Sequence, residues 1–168
     1  MTEMFLAGIT IDVTKACPVM VLTDAEKKRA LPIWISPADA TALVLAMSSE
    51  RPQRPVTHDL MHDVIQTLGW KVSSVELNEL SADTLLATIK MQGSNEQEQI
   101  NLDARPSDAI ALALRFQAPI HVSLEVLANA SVSADIAGDE SDTLKFRSFV
   151  CDLKASDFNQ INRDRKAG

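Results

Sequence analysis

Two short stretches hold the residue types that chemistry needs. The first is LDARPSDA, where Asp103, Arg105, Ser107 and Asp108 crowd around the start of an apolar run. Pro106 suits the first position of a helix, which puts Ser107 and Asp108 in a first turn whose free N–H groups favour an anion such as phosphate. Arg105 then stands at the N-cap, although an arginine side chain offers no acceptor to those N–H groups. A residue that breaks a local rule marks a candidate functional site. The structural alternative is that Asp103 and Arg105 pair with one another while Asp108 serves the helix terminus.

The second stretch is RPQRPVTHDLMHD, with Arg51 and Arg54 in a proline-bearing loop and then His58, Asp59, His62 and Asp63. HDLMH has the histidine spacing of the H-E-x-x-H zinc-protease helix. Asp59 is one methylene shorter than the glutamate base of that motif, His58 sits at the very start of the helix, and no third ligand is evident. On a helical wheel Leu60, Met61, Val64, Ile65 and Leu68 form the stripe expected to face the core. His58 and His62 lie at its edge, and Asp59 and Asp63 lie opposite. Ser107 has no G-x-S-x-G elbow around it, which weakens it as a hydrolase nucleophile.

The elements that must position these groups are written twice. PADATALVLA (37–46) and PSDAIALALR (106–115) share their Pro, Asp, Ala, Ala, Leu and Leu at a constant offset. In the first copy Ser36 and Asp39 form a capping box, so an Asp at that position has a structural use and Asp108 is the less diagnostic acid. Where the first copy has Trp34 and Ser36, the second has Asp103 and Arg105. Before the first helix, residues 4–13, 18–24 and 30–36 read as strands; before the second, residues 70–80, 84–92 and 98–104 do. Thr57 is expected to cap a second helix stopped by Gly69, and Ser123 to cap a short helix over LEVLANA, after an extended PIHV. The fold class is therefore α+β, with two β3-α2 units at about 4–69 and 70–130 making one domain, 1–130. Both repeated helices are apolar nearly all round, which predicts burial on two sides and a homo-oligomer, most simply a two-fold dimer. Residues 131–143 read as a small, acidic linker. Phe146, Phe149, Val150 and Leu153 then fall at the spacing of a short amphipathic tail helix over 144–168.

The chain has 168 residues, a net charge of −7 and a mean hydropathy of zero. Such a field repels nucleic acid at long range, which disfavours a non-specific binder without excluding an enzyme that meets phosphate through local arginines or a metal ion. MTEMFLAGITID lacks the basic start and apolar core of a signal peptide, and no run suggests a membrane span. Cys17 and Cys151 lie far apart without metal-ligand spacing. A cytoplasmic protein is expected.

LPIWI, RPVTHDLM, LDARPSDAIALALR and API-H-V together resemble the bifunctional nuclease family over about residues 4–130. Two departures are a leucine (Leu85 or Leu86) for the usual fifth-strand aromatic, and Ser36 for a glycine. The resemblance implies a curved, barrel-like mixed sheet, self-association, and nuclease activity on DNA and RNA. It maps family motifs onto Arg54, Pro55, Thr57, His58 and Asp59, and onto Asp103, Arg105, Pro106, Ser107 and Asp108. On that basis His58, Asp59, Asp103 and Asp108 are the candidate catalytic residues, with His58 the general acid or base. Arg54, Arg105 and Ser107 are the phosphate contacts. Asp103 and Asp108 are the candidate ligands for Mg²⁺ or Mn²⁺, which carboxylate oxygens suit better than zinc. The competing expectation is a non-catalytic homo-oligomeric module that uses the same charged residues to hold an anion or a partner.

Overall fold

The computed structural model of the protein describes residues 1–12, 15–48, 52–81, 84–95 and 97–133. The chain runs through β1 (Thr2–Asp12), β2 (Cys17–Thr23), β3 (Arg29–Trp34), α1 (Pro37–Met47) and α2 (Thr57–Thr67). It continues through β4 (Lys71–Ser81), β5 (Thr84–Gln92), β6 (Gln99–Ala104), α3 (Pro106–Phe116), β7 (Ile120–Val122), α4 (Leu124–Ala130) and β8 (Val132–Ser133). The class is α+β, as the alternation of patterns predicts. The expected second β3-α2 unit is interrupted, because β7 lies between its helices.

All the described strands join one mixed sheet in the order β6-β5-β4-β7-β1-β2-β3-β8. Its edges, β6 and β8, are not paired with each other, so the strand order among the described residues is open rather than a closed barrel. The short PIHV segment turns out to be the joint of the sheet: β7 pairs antiparallel with β1 and parallel with β4. Ile120 and Val122 alternate inward and are both buried, the period-2 pattern of a strand between two neighbours. Val132 and Ser133, expected to open the acidic linker, instead pair with Ala30 and Arg29 of β3. The rest of that linker and the amphipathic tail helix lie outside the described residues.

One face of the sheet carries the core, in which Met20, Leu22, Leu31, Val75 and Leu77 meet Leu43, Ile110 and Leu112 from the helices. α3 is the centre of the helical layer. Ala109, Ile110, Ala111, Leu112 and Ala113 are each at most 1% exposed, covered by β4, β5, α1 and α2. Its apolar circumference is thus satisfied within the chain and needs no partner subunit. α1 is less covered, with only Ala40 and Leu43 buried.

The caps are where local chemistry is most legible. Ser36 accepts from the Asp39 N–H and Asp39 accepts from the Ser36 N–H, the reciprocal capping box. Ser123 accepts from the Val126 N–H. Arg105 occupies the N-cap of α3 without any side-chain cap bond. Thr57 does not cap α2: Val56 is its N-cap, and Asp59 Oδ2 accepts the Val56 N–H at 3.1 Å. Gly69 ends α2 at φ +77, where a side chain would also run into the Ser94 hydroxyl.

α2 is rotated from its helical wheel, with the His58 and His62 edge turned inward. Leu60, Met61, Val64 and Leu68 are 58, 41, 48 and 70% exposed, and of the expected core stripe only Ile65 packs against the core. Charged and aromatic contacts to α3 set its rotation, as described below. They outweigh the amphipathic pattern because α3, already sheathed in its own apolar contacts, offers α2 a charged edge. No helix among the described residues is long and apolar enough to cross a membrane.

Candidate active site at the meeting of three helices

The two sequence motifs meet in space. The N-termini of α1, α2 and α3 converge beside β5 and β6 around a cleft of about 660 Å³. At one corner His58 Nε2 lies 3.1 Å from Asp108 Oδ1. Arg105 donates to the same carboxylate through Nε at 2.7 Å and Nη2 at 3.1 Å, a bidentate fork. Arg105 Nη2 also donates to Asp39 Oδ1 at 3.1 Å, so the repeated helices are tied by one arginine. The expected Asp103–Arg105 pair does not form. β6 is an edge strand, and Asp103 is exposed on it, whereas the arginine extends along the helix starts.

The protonation pattern follows from these contacts. The Arg105 hydrogen bonds hold the Asp108 carboxyl below its ordinary value near 3.8, against the opposing effect of partial burial, and His58 adds to the depression. An ionised carboxylate has no proton to give, so His58 Nε2 is the donor and a neutral ring keeps its lone pair on Nδ1. The sign for stability is that of a depressed acid. The contribution is present above about pH 3.8 and is lost as the pH falls through the lower folded value. Thermal melts of wild type and Asp108→Asn should accordingly differ at neutral pH and converge only on that acid limb.

The other expected site residues are distributed differently. Asp103 lines the same cleft. Arg54 is exposed in the 52–56 loop and does not line it, and Ser107 is 6% exposed and buried behind the helix start. Asp59 faces the other way, onto a second cavity, where Arg115 Nε donates to its Oδ1 at 2.6 Å. Both Asp108 oxygens already accept from Arg105 or His58, and no three His, Cys, Asp or Glu side chains gather around a metal position among the described residues.

Two contributors were not singled out by sequence reasoning. Asp39 serves the cap and the site at once, accepting from Ser36 and Arg105 on different oxygens. Arg115 is the one Lys or Arg in α3, the most buried of the described helices, and that isolation was its signal, since a buried charge needs a partner. Its side chain is 9% exposed, bonded to Asp59 and to the Ala111 carbonyl at 2.9 Å. His62 sets its ring 4.5 Å from that of Phe116 alongside, tilted by 48°. Arg115 and Asp59 therefore clamp the first turn of α2, which carries His58. Arg115→Leu is expected to lower stability by roughly 1–3 kcal/mol, less than for a fully buried pair because Asp59 is part-exposed. A denaturant titration with the unfolding midpoint as readout checks it.

A family model described as "Bifunctional nuclease domain" matches residues 20–135. The chain belongs to that family. Relatives of the bifunctional nuclease domain family fall in two groups. An uncharacterized protein of Mycobacterium tuberculosis is 34% identical over 166 residues, covering 94% of this chain and 98% of its own. Bifunctional nuclease 1 of Oryza sativa subsp. indica is 30% identical over 100 residues, 59% of this chain and 30% of the plant protein. Bifunctional nuclease 1 of Arabidopsis thaliana is 28% identical over 94 residues, 55% of this chain and 29% of its own. The matched stretch is thus under a third of either plant protein, and the family is shared at the level of this domain.

Proposed function

We propose that the chain is a nuclease that hydrolyses phosphodiester bonds in DNA, RNA or both at the His58–Asp108–Arg105 corner. The observation that carries this is the part-buried histidine held by an ionised aspartate beside an arginine, at the mouth of a cleft. In the step proposed, His58 Nδ1 takes a proton from a water as its oxygen bonds to phosphorus. The P–O bond to the leaving sugar oxygen breaks, and that oxygen is protonated from solvent, so one water is added across one ester bond. Asp108 fixes the ring and offsets the charge of the imidazolium. Arg105 directs its remaining Nη1 donors at the non-bridging oxygens, where charge builds in the transition state. Asp103, at the cleft, would hold a divalent ion such as Mg²⁺ or Mn²⁺, which would supply further charge neutralisation. The relatives named bifunctional nucleases support the assignment at the level of the domain.

The solvent-facing apolar side of α2 supports a homo-oligomer, and a cytoplasmic location belongs to the same proposal. It also favours the second assignment, a non-catalytic oligomeric module, whose charged corner would only tie the helices together. The test is the purified chain with plasmid, single-stranded DNA and RNA, with and without EDTA, beside His58→Ala. Cleavage lost in the variant supports the nuclease; binding without cleavage in both supports the module; loss in EDTA reveals a metal requirement. Light scattering should return a mass well above the 18.3 kDa of one chain.

A further inference from the structure

The cleft beside His58 is built unlike a groove that tracks a nucleic-acid backbone. Among its described lining residues Arg105 is the one Lys or Arg, against Asp39, Asp103 and Asp108. The whole chain carries −7. Proteins that hold a long strand do so with several cations, each releasing counterions from a phosphate. Here each further phosphate meets repulsion, so affinity must come from something other than charge.

The inner wall supplies it. Ala42, Leu45, Ile65, Ile89, Met91 and Leu112 line the cleft with apolar atoms. Its volume of about 660 Å³ lies within the range that encloses a small ligand rather than a duplex, about 300–1,000 Å³. The charged corner sits at the rim, where Arg105 is 64% exposed and His58 12%. An apolar wall next to a single cation suits a flat ring joined to one phosphodiester. A base that enters such a wall has left its stack and its pairing partner.

We propose that the cleft takes one unpaired nucleobase and sets the adjoining phosphodiester at His58 and Arg105, so that dinucleotides and single-strand ends are the preferred substrates over duplex tracts. The proposal rests on the nuclease assignment, and its test separates the two. The full chain is given a dinucleotide, a single strand of about 20 nucleotides and the matching duplex, at about 50 and about 200 mM salt. The expected result is similar kcat/KM per bond for the dinucleotide and the strand, with the duplex at least about tenfold slower because a base must be unpaired. KM should rise only about threefold across the salt range, as one phosphate contact requires. A duplex cleaved as fast as the single strand, or a KM that climbs about a hundredfold or more with salt, overturns the proposal.

Binding of a phosphorothioate dinucleotide, followed by calorimetry, supplies the second readout. Ala42→Phe and, separately, Leu45→Trp fill the apolar wall and should weaken it by about tenfold or more, a loss of the size expected from blocking a fitted apolar contact. Unweakened binding in whichever of the two variants melts like wild type overturns the proposal. Binding that depends on the wall, with no substrate cleaved, keeps the cleft assignment and removes the nuclease. No dinucleotide binding at all removes the cleft assignment, whatever is cleaved.

Discussion

His58→Ala is expected to lower nuclease kcat by about 10²–10⁴-fold, the usual worth of a positioned general base. The size follows from how completely the ring is held. Its Nε2 is fixed on Asp108 at 3.1 Å, Asp108 is fixed by the Arg105 fork, and the ring is 12% exposed. An imidazole so placed acts with its remaining nitrogen only, and His58 is the one histidine lining the cleft among the described residues. Folding should be little changed, because α2 has no fully buried residue and is tied to α3 as well by Asp59 and His62. Single-turnover kinetics beside a melt separates the two effects. A variant with wild-type kcat would show that the corner is a structural ion pair and that cleavage occurs elsewhere.

Asp108→Asn tests the middle of the chain of contacts. It keeps the shape and removes the charge that fixes the tautomer, so activity should fall while KM stays close to wild type. The same substitution isolates the acid limb of the stability curve, since Asp108 is the group whose carboxyl is held low.

How much of this could be read from residues alone differs from element to element. The strands, both repeated helices and the Ser36 and Ser123 caps were legible because each is fixed by its own few residues. Arg105 was legible as a broken rule, since an N-cap without an acceptor needs another reason to exist. Its partners were not. Whether it turns to Asp103 or to Asp108 and Asp39 depends on how the two copies pack, which is set by contacts far apart in sequence. The rotation of α2 was illegible for a related reason. Its apolar stripe is a strong local signal for burial, yet Asp59 and His58 find Arg115 and Asp108 away from the centre of that stripe, and those charge-assisted bonds decide which face turns inward. β7 was legible as an extended piece at PIHV, but three residues carry no sign of which strands they join, so its place between the two halves of the sheet was not.

Arg105→Ser uses the first copy of the repeat as the control for the second. Serine at this position is what α1 already has, where Ser36 accepts from the Asp39 N–H at 3.2 Å. Transplanted to position 105, it can accept from the Asp108 N–H in the same way, worth about 0.5–2 kcal/mol over a residue that does not cap. Against this stand the lost contacts to Asp108 and Asp39. Arg105 is 64% exposed, and exposed pairs of that kind contribute about 0–1 kcal/mol each. The two terms nearly cancel, so the melting temperature should stay within a few degrees of wild type or rise. Activity should not follow it. Without the guanidinium no Lys or Arg lines the cleft among the described residues to offset charge on the phosphate, and kcat should fall by about 10²-fold or more, as when a transition-state donor is removed. Arg105→Lys should recover part of that loss through its charge but not the fork on Asp108. A fall in stability large enough to move the melt by ten degrees or so would instead make Arg105 a strut between α1 and α3, because the cap and screening terms together leave no room for it. Full activity in a stable Arg105→Ser protein would move the phosphate contact away from this corner.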